Sequence, residues 1–252
     1  MELPSPYRAL VLLELGLAVP TFLSLLFVPA PYGRYARGGF GPTVPARLGW
    51  VLMESPASLF FAAVYFSGPH WAEPAPLALF ALWQLHYVNR AFLFPLRMRE
   101  GGRRMPVLVL LLAVSFNLLN GWVNARFLSD LGAYPTRWLV DPRFLLGAAA
   151  FLFGFGLNVT SDRRLRRLRS PGESGYRIPR GGPFEWVSCP NYLGEIIEWS
   201  AWAVASWSLA GLAFAVYTAA NLAPRAWAHH AWYRRQFADY PKERRALLPF
   251  VW

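Results

Sequence analysis

Glu54 stands inside "WVLMESPASLFFA", with apolar residues on both sides and Pro56 two positions on. A carboxyl in such a setting is costly unless it faces a cavity or a partner. Its chemistry would be that of a hydrogen-bonding or proton-donating group held away from bulk water. A second interruption, "WQLHYVNRAF", sets His86, Tyr87, Asn89 and Arg90 into another apolar run. Tyr87 and Arg90 are three apart and His86 is one turn from Arg90, so these side chains can share a helix face. The competing reading of that cluster is a satisfied internal network. The third stretch, "SCPNYLGEIIEW", begins as a turn and continues as a helix carrying Glu195 and Glu198. Asn191 and Glu195 lie one turn apart and can offer an amide and a carboxylate to one polar ligand. Glu198 takes no role in that reading. Glu14, in the first apolar run, has equal claims as a structural and as a functional group.

The basic segments carry a different chemistry. Arg163, Arg164, Arg166, Arg167, Arg169, Arg177 and Arg180 crowd beside "PGESGYRIPRGGPFEW". Arginine presents a fork of donors suited to phosphate, and the glycines and prolines imply a shaped loop. Anionic lipid headgroups are the competing ligand. The tail "RAWAHHAWYRRQFADYPKERRALLPFVW" sets Arg and His beside Tyr and Trp, fit to bind or stack on a nucleotide. There is no GxGxxG after a strand and no GxxxxGK[ST], so a Rossmann or P-loop cradle is not expected. The single cysteine, Cys189, excludes an internal disulfide and a multi-cysteine metal site, and no metal is expected.

These groups must be positioned by membrane helices. Of the 252 residues, 55% are hydrophobic and 15% charged, and the mean hydropathy is +0.27. Those values lie beyond an ordinary soluble domain. Apolar runs recur at 9–30, 47–66, 76–96, 106–125, 144–160 and 190–226, and about 20 helical residues cross a hydrocarbon core. The expectation is an all-α, polytopic integral membrane protein in one domain, its first run a retained span rather than a cleaved signal peptide. The net charge of +11 gathers between the apolar runs, which reads as an orientation signal and not as nucleic-acid binding. If 190–226 crosses twice, breaking near "SWSLAG" (206–211), the spans number seven. Segments 34–47, 97–104, 163–180 and 225–245 then share one side with 20 basic residues, against Arg8, Arg126, Arg137 and Arg143 on the other. The positive-inside rule favours that arrangement, with the N-terminus outside. The run "DRRLRRLR" reads as a short amphipathic helix on the inner surface, and the twelve tryptophans suit interfacial belts.

"SPGESGYRIPRGGPFEWVSCPNYLGEIIEW" followed by "HHAWYRRQFADYPKERRALLPFVW" closely resembles the C-terminal part of the steroid 5α-reductases, the membrane 3-oxo-5α-steroid 4-dehydrogenases. "PYGRYA" and "HYVNRAF" extend the similarity over nearly the whole chain. The resemblance implies NADPH-dependent reduction of the Δ4 double bond of a 3-oxosteroid, inside seven transmembrane helices. It implies that Glu54 and Tyr87 hold the steroid 3-oxo group, Tyr87 donating directly and Glu54 in its acid form, in the manner of an oxyanion hole. Arg90 then belongs to the substrate pocket. Asn158, Asp162, Arg169, Arg177, Asn191, Glu195, Arg225, His229 and Tyr233 fall at positions the family uses around NADPH. Residues 1–105 would be mainly the steroid half and 106–252 mainly the cofactor half. Steroid and membrane lipid are the implied partners. The location would be a bacterial inner membrane, since the chain is compact and arginine-rich, or otherwise the endoplasmic reticulum. Two departures bear on the substrate: Met53 stands where mammalian members have glutamine, and Met98 stands near a family asparagine. Sterol C14 reductases, long-chain enoyl-CoA reductases and isoprenylcysteine carboxyl methyltransferases share features of the C-terminal region. The form "GEIIEW…DYPKERRALLPF" fits the 5α-reductases best.

A reporter fused after Trp252 should lie on the cytoplasmic side and one fused before Met1 on the opposite side. Two reporters on the same side would remove the seven-span arrangement.

Overall fold

The computed structural model describes residues 3–98, 102–168 and 175–252. Its helices are α1 (Ser5–Phe27), α2 (Ala46–Phe66), α3 (Pro74–Val88), α4 (Phe94–Leu96), α5 (Val107–Arg126), α6 (Pro142–Arg167), α7 (Pro190–Ser206) and α8 (Leu209–Gln236). A π-helical turn, Asn89–Leu93, joins α3 to α4 without a break, and another, Phe127–Leu131, extends α5. Among the described residues, four helices are long and apolar enough to cross a membrane: α1, α2, α5 with its π turn, and α6. Arg169 lies outside the described residues.

Local chemistry sets the boundaries. Pro142 and Pro190 occupy the first turns of α6 and α7, where the missing N–H costs nothing. Asp141 caps α6 by accepting from the Arg143 backbone N–H at 2.9 Å, and also takes its Nε and Nη2 at 2.9 and 2.8 Å. Those side-chain and backbone bonds from Arg143 hold the Asp141 carboxyl down at about 2. The expected break near 206–211 falls at Trp207, in left-handed backbone (φ 46, ψ 46), after which the Ser208 hydroxyl caps α8.

Three expectations need amendment. The chain is not wholly helical: β1 (Thr43–Pro45) pairs antiparallel with β2 (Arg104–Pro106), pinned by Arg104 on Thr43. The run "DRRLRRLR" forms no separate surface helix; up to Arg167 it is the end of α6, because Asp162 and its neighbours continue the same hydrogen-bonded ladder. Several tryptophans form core rather than belt. Trp83 is fully buried against Phe61 at 4.3 Å and Trp199 and Trp202 at 5.2 Å, and its indole N–H donates to Ala57 O at 2.7 Å. The indoles of Trp138 and Trp202 are likewise bonded internally, so their polar ends need no interface.

The buried residues of α1 are Tyr7, Val11, Glu14 and Ala18, one seam at helical spacing, while Leu12, Leu13, Val19, Phe22 and Phe27 face outward. Helix α1 packs along α8. Glu14 therefore points inward, fully buried, with neither carboxyl oxygen partnered. Burying such a group without hydrogen bonds costs on the order of 1–3 kcal/mol. Glu14→Leu should therefore raise the melting temperature in detergent, and a lower one would mean that Glu14 has an essential polar partner.

Candidate active site

The site is assembled where α6 and α7 come together almost backbone to backbone. A Cβ on Gly154 would lie 2.5 Å from the Gly194 carbonyl oxygen and 2.7 Å from the Glu198 nitrogen, and one on Gly194 would meet the Asn158 nitrogen at 2.6 Å. Only glycine at these positions permits that approach. It sets Asn158 and Asp162 of α6 directly against Asn191 and Glu195 of α7. The Asn158 amide donates to Asn191 O at 3.0 Å and to Glu195 Oε2 at 3.1 Å, and the Asn191 amide donates to Asp162 Oδ1 at 3.0 Å.

Arg90 enters this node from the π turn after α3. Its Nη1 lies 3.4 Å from Asp162 Oδ2 and its Nη2 3.9 Å from Glu195 Oε2. The guanidinium stacks over Trp50 at 4.6 Å and Phe94 at 4.8 Å. Glu54, on α2, takes a 3.4 Å contact from the Asn117 amide, which also donates to Met53 O at 2.6 Å. Glu54 lies within electrostatic range of Arg90, Glu195 and His86. Tyr87 is buried with its ring 5.0 Å from Trp83, 4.9 Å from His86 and 5.5 Å from Trp199. Thus the structure gathers Glu54, Tyr87, Arg90, Asn158, Asp162, Asn191 and Glu195 into one polar region, with Tyr87, Asn158 and Asp162 buried and the others partly buried.

Toward the basic end of the bundle lies a cleft of about 200 Å³, lined by Tyr32, Arg34, Tyr35, Arg103, Tyr176, Tyr192, Arg225 and His229 among others. Arg225, His229 and Tyr233 follow one another at one-turn intervals on α8. Arg225 Nη2 donates to the Tyr32 hydroxyl. His229 bridges the hydroxyls of Tyr35 (3.2 Å) and Tyr192 (3.1 Å), and Tyr233 accepts from Arg34 at 3.3 Å. Burial pushes the Tyr35 phenol up to about 12, so it remains a hydroxyl. The Arg34 guanidinium sits over Tyr176, Trp232 and Tyr233 at 5.0, 4.6 and 4.7 Å, and its Nη1 is buried without a hydrogen-bond partner. A buried guanidinium donor beside Arg225 and aromatic faces suits an anionic, ring-bearing ligand such as a dinucleotide. Arg177 is exposed in the segment beside Tyr176.

The family model for 3-oxo-5-alpha-steroid 4-dehydrogenase matches residues 103–252. The chain belongs to that family. It is 46% identical over 241 residues to a steroid 5-alpha-reductase of Gossypium hirsutum, covering 94% of this chain and 93% of that protein. It is 44% identical over 250 residues to 3-oxo-5-alpha-steroid 4-dehydrogenase 1 of Bos taurus, covering 96% of each, and 41% identical to that of Homo sapiens over 96% and 94%. This member of the 3-oxo-5-alpha-steroid 4-dehydrogenases is therefore an oxidoreductase of the membrane.

Sequence reasoning missed several residues of this region. Glu198, given no role, is fully buried and accepts or donates a 2.9 Å hydrogen bond at His86 Nδ1. Asn117 was invisible as a partner of Glu54, although Asn117, Asn120 and Asn124 at helical spacing in an apolar run were a signal of a buried polar seam. Arg34 and Tyr35 lie in "PYGRYA" and Tyr192 in "SCPNYLGEIIEW", but sequence assigned none of the three a role.

Removing Arg90 would leave buried Asp162 and partly buried Glu195 without the guanidinium that faces both. Arg90→Ala should cost about 3 kcal/mol, read as a lower melting temperature. Adding Asp162→Asn should return part of that loss, and strictly additive losses would mean that the pair is uncoupled.

Proposed function

We propose that this chain reduces the Δ4 double bond of 3-oxo-Δ4-steroids to 5α-3-oxosteroids, using NADPH. The observation that carries the reading is the largely buried polar region in which Glu54 lies within electrostatic range of Arg90 and Glu195, and Tyr87 within that of Glu54 and Glu195, beside the Arg90–Asp162–Glu195–Asn158–Asn191 network and a cleft lined by arginines and aromatic rings. NADPH, when bound, supplies a hydride for the steroid C5.

The chain's own residues do the rest. Glu54, in its acid form, and Tyr87 donate hydrogen bonds to the 3-oxo oxygen and stabilise the enolate that develops as C5 is reduced. Tyr87 is pre-oriented by the rings of Trp83, His86 and Trp199, so little reorganisation is needed at the moment of reaction. Arg90 keeps Asp162 and Glu195 oriented at the edge of the substrate pocket. Asn158, Asp162, Asn191 and Glu195 bind the nicotinamide-ribose end of the cofactor, and Arg225, His229 and Tyr233 bind along its length. Arg169 and Arg177 are assigned to phosphate, with the 2′-phosphate favouring NADPH over NADH. Arg34 and Arg103 join them from the first half of the chain. The steroid half, 1–105, thus also reaches the cofactor through Tyr32–Tyr35 and Arg103, while 106–252 supplies most of the remaining contacts.

The proposed topology is seven spans with the N-terminus outside and the basic cleft facing the cytoplasm, where NADPH is available. The membrane is a bacterial inner membrane or the endoplasmic reticulum. Membrane lipid headgroups would occupy arginines outside the cleft.

Purified protein incubated with NADPH and a panel of Δ4-3-oxosteroids should yield products heavier by two hydrogens in mass spectrometry. Glu54→Ala and Tyr87→Phe should each lower turnover by roughly 10²–10³, while NADPH still raises the melting temperature. Near-normal turnover in both variants would defeat the assignment of these donors. Protection by S-adenosylmethionine instead of NADPH would favour the methyltransferase reading.

A further inference from the structure

Reduction at C5 leaves an enolate whose C4 must take a proton, and Glu54 and Tyr87 are committed to the oxygen. The structure offers a third group. His86 and Glu198, from α3 and α7, are buried together, with Nδ1 and Oε1 2.9 Å apart. Among the described residues Glu198 Oε2 has no hydrogen-bond partner, so His86 is the one group there that serves this carboxyl. The His86 ring stands edge-on to Tyr87 at 4.9 Å and to Trp199 at 4.7 Å.

The other titratable groups around the ring are Glu54 of α2, Arg90 beyond α3, Asp162 of α6 and Glu195 of α7. Arginine does not give up its proton at any working pH. Asp162 and Glu195 are bound to Arg90, Asn191 and Asn158. C4 is one bond from the carbon whose oxygen Tyr87 would hold, and His86 is the residue beside Tyr87. With Nδ1 facing Glu198, Nε2 is the ring nitrogen left to meet a substrate.

We propose that His86 and Glu198 form a neutral proton relay that protonates C4. This rests on the steroid-reductase reading above. A fully buried ion pair is expensive, and a carboxylic acid hydrogen-bonded to a neutral imidazole avoids that cost. In the relay, Glu198 in its acid form donates to Nδ1 and the imidazole carries its hydrogen on Nε2. Hydride from a reduced nicotinamide forms the C5–H bond, and the C4=C5 electron pair moves into the enolate. The enolate then takes the Nε2 hydrogen at C4, forming that C–H bond and restoring the 3-oxo group. The Glu198 hydrogen passes to Nδ1 in the same movement, so His86 ends neutral and Glu198 ends as a carboxylate. That negative charge balances the positive charge the nicotinamide ring gains on losing hydride. Uptake of one proton from water resets the pair.

Two variants keep the packing and remove the relay. In His86→Gln the amide can still bond Glu198, and in Glu198→Gln the amide can still bond Nδ1, but neither completes the transfer. Both should lower kcat at least tenfold, in the range of lost acid–base catalysis, with KM changed less than about twofold. The solvent isotope effect on kcat should rise and the effect of deuterated NADPH should shrink, because protonation becomes limiting. The melting-temperature gain with NADPH should match that of the unmodified protein, showing that the cofactor site is intact. Unchanged isotope effects in both variants would overturn the relay, whether turnover is kept or is lost together with the cofactor's stabilising effect. Failure of the unmodified protein to reduce any steroid would defeat the reductase reading instead, before the variants are compared.

Discussion

A guanidinium buried in a bundle built for hydrocarbon is the constraint around which this structure is organised. Arg90 cannot shed its charge, so the fold must bring carboxylates to it. It does so from two different helices, Asp162 of α6 and Glu195 of α7, and it closes the remaining faces with Trp50 and Phe94. Each carboxylate is in turn bonded by an asparagine of the opposite helix, Asn191 or Asn158. A low dielectric makes such a network strong when it is complete and costly when one member is missing. The π turn at Asn89–Leu93 is part of the same solution, since it holds Arg90 in register with α6 and α7 while α3 continues into α4.

That network is possible only because α6 and α7 touch through Gly154 and Gly194. With side chains at those positions the helices would separate, and the amide-to-carboxylate bonds of about 3 Å would open. Helix α7 then carries three kinds of contact on successive residues. Tyr192 faces the arginine-lined cleft, Asn191 and Glu195 face the Arg90 node, and Glu198 reaches back to His86 on α3. The arginine-lined cleft, the Arg90 node and the His86–Glu198 pair are in this way held along one helix. Positioning a polar constellation on helices rather than loops favours precise geometry.

The aromatic core serves the same end. Trp83 stacks on Phe61 and meets Trp199 edge-on and Trp202 at a tilt, tying α2, α3 and α7 together one turn from Tyr87. Rings of this size have few rotamers and large contact areas, so Tyr87 is held in place by the rings of Trp83, His86 and Trp199. Outside this core, Leu and Phe side chains on α1, α5 and α6 face outward, as a lipid-facing surface requires.

Much of this was legible in the residues themselves. Lengths of apolar runs and the clustering of arginines determined a helical membrane protein, because hydrocarbon thickness and loop charge act on local sequence. Interrupting groups such as Glu54 and Arg90 announced a polar interior, because their burial must be compensated. The break near 206–211 was readable because loop charge favoured two crossings in 190–226, while its place at Trp207, followed by the Ser208 cap, came from the structure. Partner choice was not readable. Asn117 with Glu54 and His86 with Glu198 join residues 63 and 112 positions apart, and no periodicity links them. The fate of the tryptophans was hidden for the same reason, since an indole satisfied by Ala57 O and one satisfied by interfacial water look alike in sequence. Side-chain type and spacing set which groups require partners, but the crossing geometry of the helices, set by Gly154 and Gly194 only between α6 and α7, decided which partners they met.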